Sequence, residues 1–143
     1  MAILAGETIT AARLNRLQPV TYRAVSSGVL NGSVTSADVP GLTLPITTET
    51  AGARYTALLV VDVDLTGAST ALASARLMVD GTALGEFATF GAEVSTDRGT
   101  VAQTYEGSFG SAGAHTVKAI ATLAANQSIN LYSSLLVTVY EVA

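Results

Sequence analysis

From residue 20 onward, apolar positions recur at every second residue, the period of a strand with one buried face. The clearest run is Tyr55–Leu65, where Ala57, Leu59, Val61, Val63 and Leu65 share one face and Leu58, Val60, Asp62 and Asp64 share the other. The first face predicts core; the second is apolar at one end and wet at the other. Arg76–Val79 leads into Asp80-Gly81, a pair that tolerates positive φ and so marks a two-residue hairpin turn, with Ala83–Phe90 as the returning strand. Thr100–Phe109 places Val101, Gln103 and Tyr105 on one face, and His115–Leu123 does the same with Val117, Ala119, Ala121 and Leu123. Asn126-Gln-Ser then turns the chain into Ile129–Val142, predicted as the longest strand, with Ile129, Leu131, Leu135, Val137 and Val139 aligned. Upstream, Val20–Leu30 and Leu42–Thr48 read as strands separated by Asn31-Gly32 and Pro40-Gly41. Pro45 has no N–H to give to a ladder, so the second of these belongs at a sheet edge. About eight strands with no helix between them predict an all-β fold, an antiparallel β-sandwich of jelly-roll type.

The segment before residue 20 has a different period. Thr10 is placed as an N-cap, Ile9 and Leu14 as a hydrophobic staple around it, and Leu14 and Leu17 on one face of a short helix. Pro19 ends that helix, because the residue before a proline is pushed out of the α region. The chain therefore divides into an N-terminal arm, residues 1–19, and one β-sandwich domain, residues 20–143. A helix of roughly eight residues is marginal alone in water, so it needs a surface to lie on. Its own β-body and a partner molecule are both open as that surface.

Charge sharpens the second possibility. Residues 1–24 hold Arg13, Arg16 and Arg23 against Glu7, three minus one or +2, while the rest holds four basic and ten acidic residues, or −6, summing to the net −4. A basic arm on an acidic body suits docking onto an acidic surface. Three arginines without flanking lysines or aromatics argue against a nucleic-acid partner. Only 13% of the residues are charged, about half the usual share, which suits a surface partly covered by other subunits. With 143 residues the chain makes one domain with a sizeable core. There is no cysteine, hence neither a disulfide framework nor a thiolate metal site. The opening Met-Ala-Ile-Leu-Ala-Gly-Glu lacks the pattern of a secretion signal, and the longest apolar runs, Met1–Ala5 and Ala57–Val61, are far short of a membrane span. The expectation is a protein made in a cytoplasm, with no membrane partner. The sequons at Asn31 and Asn126 then read as turn sequences.

Few residues suggest chemistry. His115 is the sole histidine and reads as the start of a strand, with nothing in the sequence to set a serine and an aspartate around it. Asp62 and Asp64, two apart on one face, have the spacing to share a calcium ion, but paired acids at the wet end of a strand are more simply solvated. Gly107–Gly113 lacks the lysine and following helix of a phosphate loop, and Asp97-Arg98-Gly99 reads as a turn. For a sugar, which stacks on an exposed aromatic, the candidates are Tyr22, Tyr132 and Tyr140. No catalytic residue, metal ligand or cofactor is assigned, and the chain is not expected to be an enzyme.

The opening Ala5-Gly-Glu-Thr-Ile-Thr-Ala-Ala-Arg-Leu-Asn15 resembles the start of many structural proteins of tailed bacteriophages, in which such a segment precedes a β-rich body; Ala5, Gly6, Ile9, Thr10, Ala11, Leu14 and Asn15 carry the likeness. Arg76-Leu-Met-Val-Asp-Gly81, Ala112-Gly-Ala-His-Thr-Val117 and Leu135-Leu-Val-Thr-Val-Tyr-Glu141 look like strands of the jelly-roll domains in those proteins. The last also resembles the closing strand of the trimeric tumour-necrosis-factor/C1q-like sandwiches. The resemblance implies a virion protein: a capsid decoration or head protein, or a tail-fibre or tail-tip receptor-binding protein. Without a collagen-like or coiled-coil stalk, decoration of the shell is the first reading. Its docking residues would be Ile9, Arg13, Leu14, Arg16 and Leu17, and its partners the major capsid protein or copies of itself, with a homotrimer as one arrangement.

Overall fold

The computed structural model describes residues 10–91 and 93–142. Among these, one helix, α1 (Ala11–Arg16), precedes eleven strands. They are β1 (Val20–Val25), β2 (Leu30–Asn31), β3 (Val34–Thr48), β4 (Arg54–Leu65), β5 (Ala73–Val79), β6 (Thr82–Ala83), β7 (Ala88–Phe90), β8 (Arg98–Ser108), β9 (Gly113–Leu123), β10 (Gln127–Ile129) and β11 (Ser134–Tyr140).

Two antiparallel sheets face one another. In the first, β1, β11, β4 and β8 lie side by side, with β10 and β2 continuing the β11 side along the far half of β4. In the second, β3, β9 and β5 lie in order, and both β6 and β7 pair with β5. The chain passes back and forth between the sheets, from β3 to β4 to β5 and from β8 to β9 to β11, which is jelly-roll wiring. The expected all-β antiparallel sandwich is the observed fold; of the eleven strands among the described residues, seven (β1, β3, β4, β5, β8, β9 and β11) have six residues or more. No helix among the described residues is long and apolar enough to cross a membrane.

The core forms where the alternating faces meet. Leu59, Val61 and Val63 of β4 pack with Leu77 of β5, Val117 and Ala119 of β9, and Leu135 and Val137 of β11, all fully buried. Asp80-Gly81 closes the β5–β6 hairpin with both residues at positive φ, 48° and 82°, as a two-residue turn of this hand requires. Pro45 lies in β3, at the edge of its sheet, where a missing N–H costs no ladder bond. Gly107 lets the Tyr55 phenol cross β8 closely, since a Cβ there would lie 2.6 Å from the Tyr55 oxygen.

Three predicted strands are broken in the structure. Ile129–Val142 divides at Asn130–Ser133, where the Asn130 amide donates to the Asp62 carbonyl (2.9 Å) and the Ser133 hydroxyl accepts from the Asp62 amide (3.0 Å). Leu131 is therefore exposed on a turn instead of buried with Leu135. Val20–Leu30 divides at Ser26, whose hydroxyl donates to the carbonyls of Gly28 and Pro40 as the chain leaves β1. Ala83–Phe90 divides into β6 and β7, which pair with separate parts of β5. The longest strand is instead the fifteen-residue β3, which keeps its pairing with β9 only through two register shifts.

Candidate functional site

Thr10 caps α1 as expected: its backbone is extended and its hydroxyl accepts from the Arg13 amide at 3.2 Å. The helix has six residues, none of them buried. Arg13, Arg16 and Leu17 are half-buried, whereas Leu14 points outward at 52% exposure. Ile9, the fifth predicted docking residue and the other half of the staple, lies outside the described residues. The body meets the helix across a cleft of about 380 Å³ lined by Asn15, Arg16, Tyr22, Thr47, Glu49 and Glu141, among others. Burial pushes the Glu141 carboxyl up. The hydrogen bonds it accepts from the Thr50 hydroxyl (2.6 Å) and from the Glu49 and Thr50 amides (2.8 and 3.1 Å), with the nearby charge of Arg16, hold it below its ordinary value. The arm thus lies against its own body with Arg13, Arg16 and Leu17 half-buried, while Leu14 is the more exposed side chain.

A second surface is the outer face of the β1-β11-β4-β8 sheet. The antiparallel registers set Arg23, Leu136, Leu58 and Thr104 in one row across it, and Thr21, Thr138, Thr56 and Glu106 in the next. Leu58 and Leu136 are directly opposed and both exposed. The outer side of a sandwich sheet ordinarily alternates to polar residues; here its middle is leucine, valine and threonine.

His115 sits at the end of the sandwich where β4 begins. Its Nδ1 meets Asp80 Oδ2 at 2.7 Å, and its Nε2 lies 3.0 Å from the Ser111 carbonyl and 3.2 Å from the Thr48 hydroxyl. The ring stacks on Phe109 at 4.3 Å, and Phe109 in turn contacts Tyr55. Asp-His-Thr is a sequence of groups seen in nucleophilic catalysis, yet this arrangement does not serve it. Thr48 is buried and spends its own proton on the Ser111 carbonyl (3.2 Å), so no hydroxyl is presented to a substrate. Burial pushes the Asp80 carboxyl up, but the Thr116 amide (2.8 Å) and His115 outweigh it, and Asp80 ends below its ordinary value.

The opposite end of β4 corrects the reading of Asp62. It is buried rather than solvated, and both of its oxygens are taken by Arg98: Nε to Oδ1 at 3.2 Å and Nη2 to Oδ2 at 2.5 Å. That hydrogen bond raises the guanidinium still further above its ordinary value. Asp62 therefore has an arginine where a shared calcium ion would need its oxygens. Arg98 itself begins β8 instead of belonging to a turn; the turn before it is closed by Asp97, which accepts from the Glu93 and Val94 amides. Beyond Arg98 stands Tyr132, whose ring centroid lies 5.3 Å from the guanidinium carbon. Of the three candidate sugar platforms, Tyr22 is half-buried, Tyr140 is exposed beside Arg54, and Tyr132 is the most exposed. Sequence reading missed Arg98, which reaches Asp62 only through the β4–β8 pairing that sets Asp64 opposite Arg98 and Asp62 opposite Thr100.

No family model matches the chain, and no curated protein matches its sequence. Solved structures do match its fold. Eiger TNF from S. frugiperda is similar over 87% of this chain and 93% of its own, with TM-score 0.56 and 13% identity. Murine APRIL is similar over 86% of this chain and 99% of its own, with TM-score 0.52 and 11% identity. Latent PorU from Porphyromonas gingivalis matches 86% of this chain with TM-score 0.53 and 14% identity, but this chain spans only 13% of PorU. At such identities these likenesses show the architecture alone: the chain has a jelly-roll sandwich of the kind found in TNF domains.

Proposed function

We propose that this chain is a non-catalytic structural protein of a virion that decorates the capsid shell, binding the major capsid protein through its N-terminal arm and associating with copies of itself. The observation that carries the reading is α1: a capped basic helix with no buried residue and with Leu14 turned outward. A six-residue helix has too little propensity to persist for its own sake, and its apolar Leu14 is left about half exposed. An acidic, partly apolar groove on a neighbour would steady the one and cover the other. The likeness of residues 5–15 to phage structural proteins supports the same role.

The outer face of the first sheet supports self-association. Leu58 and Leu136 lie at its middle, Arg23 on the edge strand β1, and Glu106 on the opposite edge strand β8. Opposite charges at these two positions suit head-to-tail contacts, which close into a ring such as a trimer when the rotation between copies allows it. On a shell, apolar area buried at about 25 cal/mol per Å², less the costs of association, is repeated over many symmetric sites and adds through avidity.

The test is removal of residues 1–19. The truncated body should keep its strand circular dichroism and cooperative unfolding but no longer sediment with purified shells. Equal decoration by the truncated and full-length proteins would overturn the arm's role. The molar ratio of this protein to the major capsid protein in purified particles tests the location: a ratio near unity or a simple fraction supports the shell, and a few copies per particle would move the protein to the tail.

A further inference from the structure

The end of the sandwich away from α1 carries an open site. A cavity of about 310 Å³ there is lined by Val29, Asp64, Arg98, Asn130, Leu131 and Tyr132. Tyr132 is 77% exposed, and Leu131 beside it is also exposed, so the β10–β11 turn holds two large apolar side chains out to water. The fold does not need them there: the turn is held by the Asn130 amide, the Ser133 amide and the Ser133 hydroxyl, none of which involves either side chain.

The polar groups around this platform are arranged but not used up. Arg98 is clamped by both oxygens of Asp62, which fixes its guanidinium against the Tyr132 ring and sets the ring's attitude. Asp64 is half-buried, and the one side-chain hydrogen bond it accepts among the described residues is a long one, 3.4 Å from the Asn130 side-chain Nδ2. Most acceptor positions of that carboxylate, and one side-chain N–H and the side-chain carbonyl of Asn130, remain available. Asp62 and Arg98 neutralise each other, so Asp64 leaves the site with one net negative charge.

A ligand for this site must offer an apolar face to an aromatic ring, adjacent O–H donors to a carboxylate, and no strong negative charge. Those are the properties of a neutral pyranose, whose C–H groups form one face and whose equatorial hydroxyls ring its edge. The volume is at the small end for ligand sites and suits one or two such rings. The geometry points to a binding site for neutral saccharides, with Tyr132 as stacking platform, Asp64 and Asn130 as hydroxyl partners, and Arg98 as the group that positions Tyr132. The site lies at the end of the body opposite the arm, since β1 leaves α1 at Val20 beside Val139 whereas Asn130 to Ser133 lie beside Asp62. It does not rest on the virion role, and either reading can fail without the other.

Titration of the full-length ¹⁵N-labelled protein with D-glucose, D-galactose, D-mannose and N-acetyl-D-glucosamine tests it by amide chemical shift. The expected result is saturable shifts with at least one sugar, confined to residues near 29, 64, 98 and 130–132. Tyr132→Ala should weaken that binding about tenfold or more, Asp64→Asn should weaken it by a smaller factor, and Tyr132→Phe should retain it. Because both side chains are outside the core, the remaining resonances of the variants should not move. The proposal is overturned if none of the four sugars shifts these amides, or if the affinity survives Tyr132→Ala unchanged.

Discussion

At the end of the sandwich beside α1, the side chain sealed from water is the base: His115 is 4% exposed and its partner Asp80 stands out at 46%. At the far end the sealed side chain is the acid: Asp62 is 5% exposed and its partner Arg98 stands out at 45%. Both pairs join distant parts of the chain, yet they do different work. The buried imidazole spends both nitrogens on protein oxygens and lies flat on Phe109, so neither ring nitrogen is left for a ligand. The buried carboxylate anchors a cation whose outer side, with Tyr132, faces water. Which partner is inside decides whether such a pair staples the fold or presents a group.

Replacing the buried member of each pair breaks the comparison most sharply. His115→Ala removes a ring stacked in the core and opens a cavity beside Phe109 and Thr48, while the loosened Asp80 is rehydrated. Unfolding in urea should show a loss of about 3 kcal/mol with little change in m-value. Asp62→Asn removes a buried charge, but Arg98 is half in water and recovers hydration, so the loss should be smaller, about 1–2 kcal/mol. The same urea series checks both. A larger cost for Asp62→Asn than for His115→Ala would reverse the assignment of staple and presenter.

Neither cluster was visible in the sequence, although much of the framework around them was. The β4 core face, the face of β9 and the Asp80-Gly81 turn follow from period-two alternation and from the tolerance of Asp and Gly for positive φ, both local properties. The partners of His115, by contrast, come from the β5–β6 turn, from β3 and from the loop after Phe109, and only the sheet topology joins them. Asp62 read as wet because its neighbours on that face turn polar; the arginine that dries it lies 36 residues away. The parity of Ile129 to Val139 gave one long strand because the turn at Asn130–Ser133 preserves the inward phase of Leu135. The turn is stabilised by side chain and backbone groups of Asp62 and Ser133 that no alternation pattern encodes. In the arm, the Thr10 cap was readable, but the outward aim of Leu14 was not, because helical spacing groups Leu14 with Leu17 without saying which surface each meets.

Acid separates the two ends next. The folded Asp80 carboxyl lies below its ordinary value, so its contribution to stability is present above its unfolded pKa, about 3.9, and is lost as pH falls through the lower folded value. Asp80→Asn should therefore lower stability at neutral pH by less than either substitution above and flatten the loss of stability below about pH 4. Melting temperature against pH for the two proteins checks this. Parallel curves through the acid range would show that the His115 end gains nothing from the charge of Asp80.

The smallest effect on stability is expected at Tyr132, and it sharpens the comparison because it should be nearly zero. A side chain 77% exposed has little burial to lose, and its contact with Arg98 is on the solvent side, where such a cation–ring contact contributes about 0.5–1 kcal/mol at most. Truncation also frees the guanidinium for water, which offsets part of that contact. Tyr132→Ala should accordingly unfold within about 0.5 kcal/mol of the parent in urea. A loss near that of His115→Ala would mean that the ring covers core beneath it and that the far end, too, is a staple. A near-zero change leaves a large aromatic held out to solvent beside a buried carboxylate and an arginine, at a position where the fold does not depend on it, as the saccharide proposal requires.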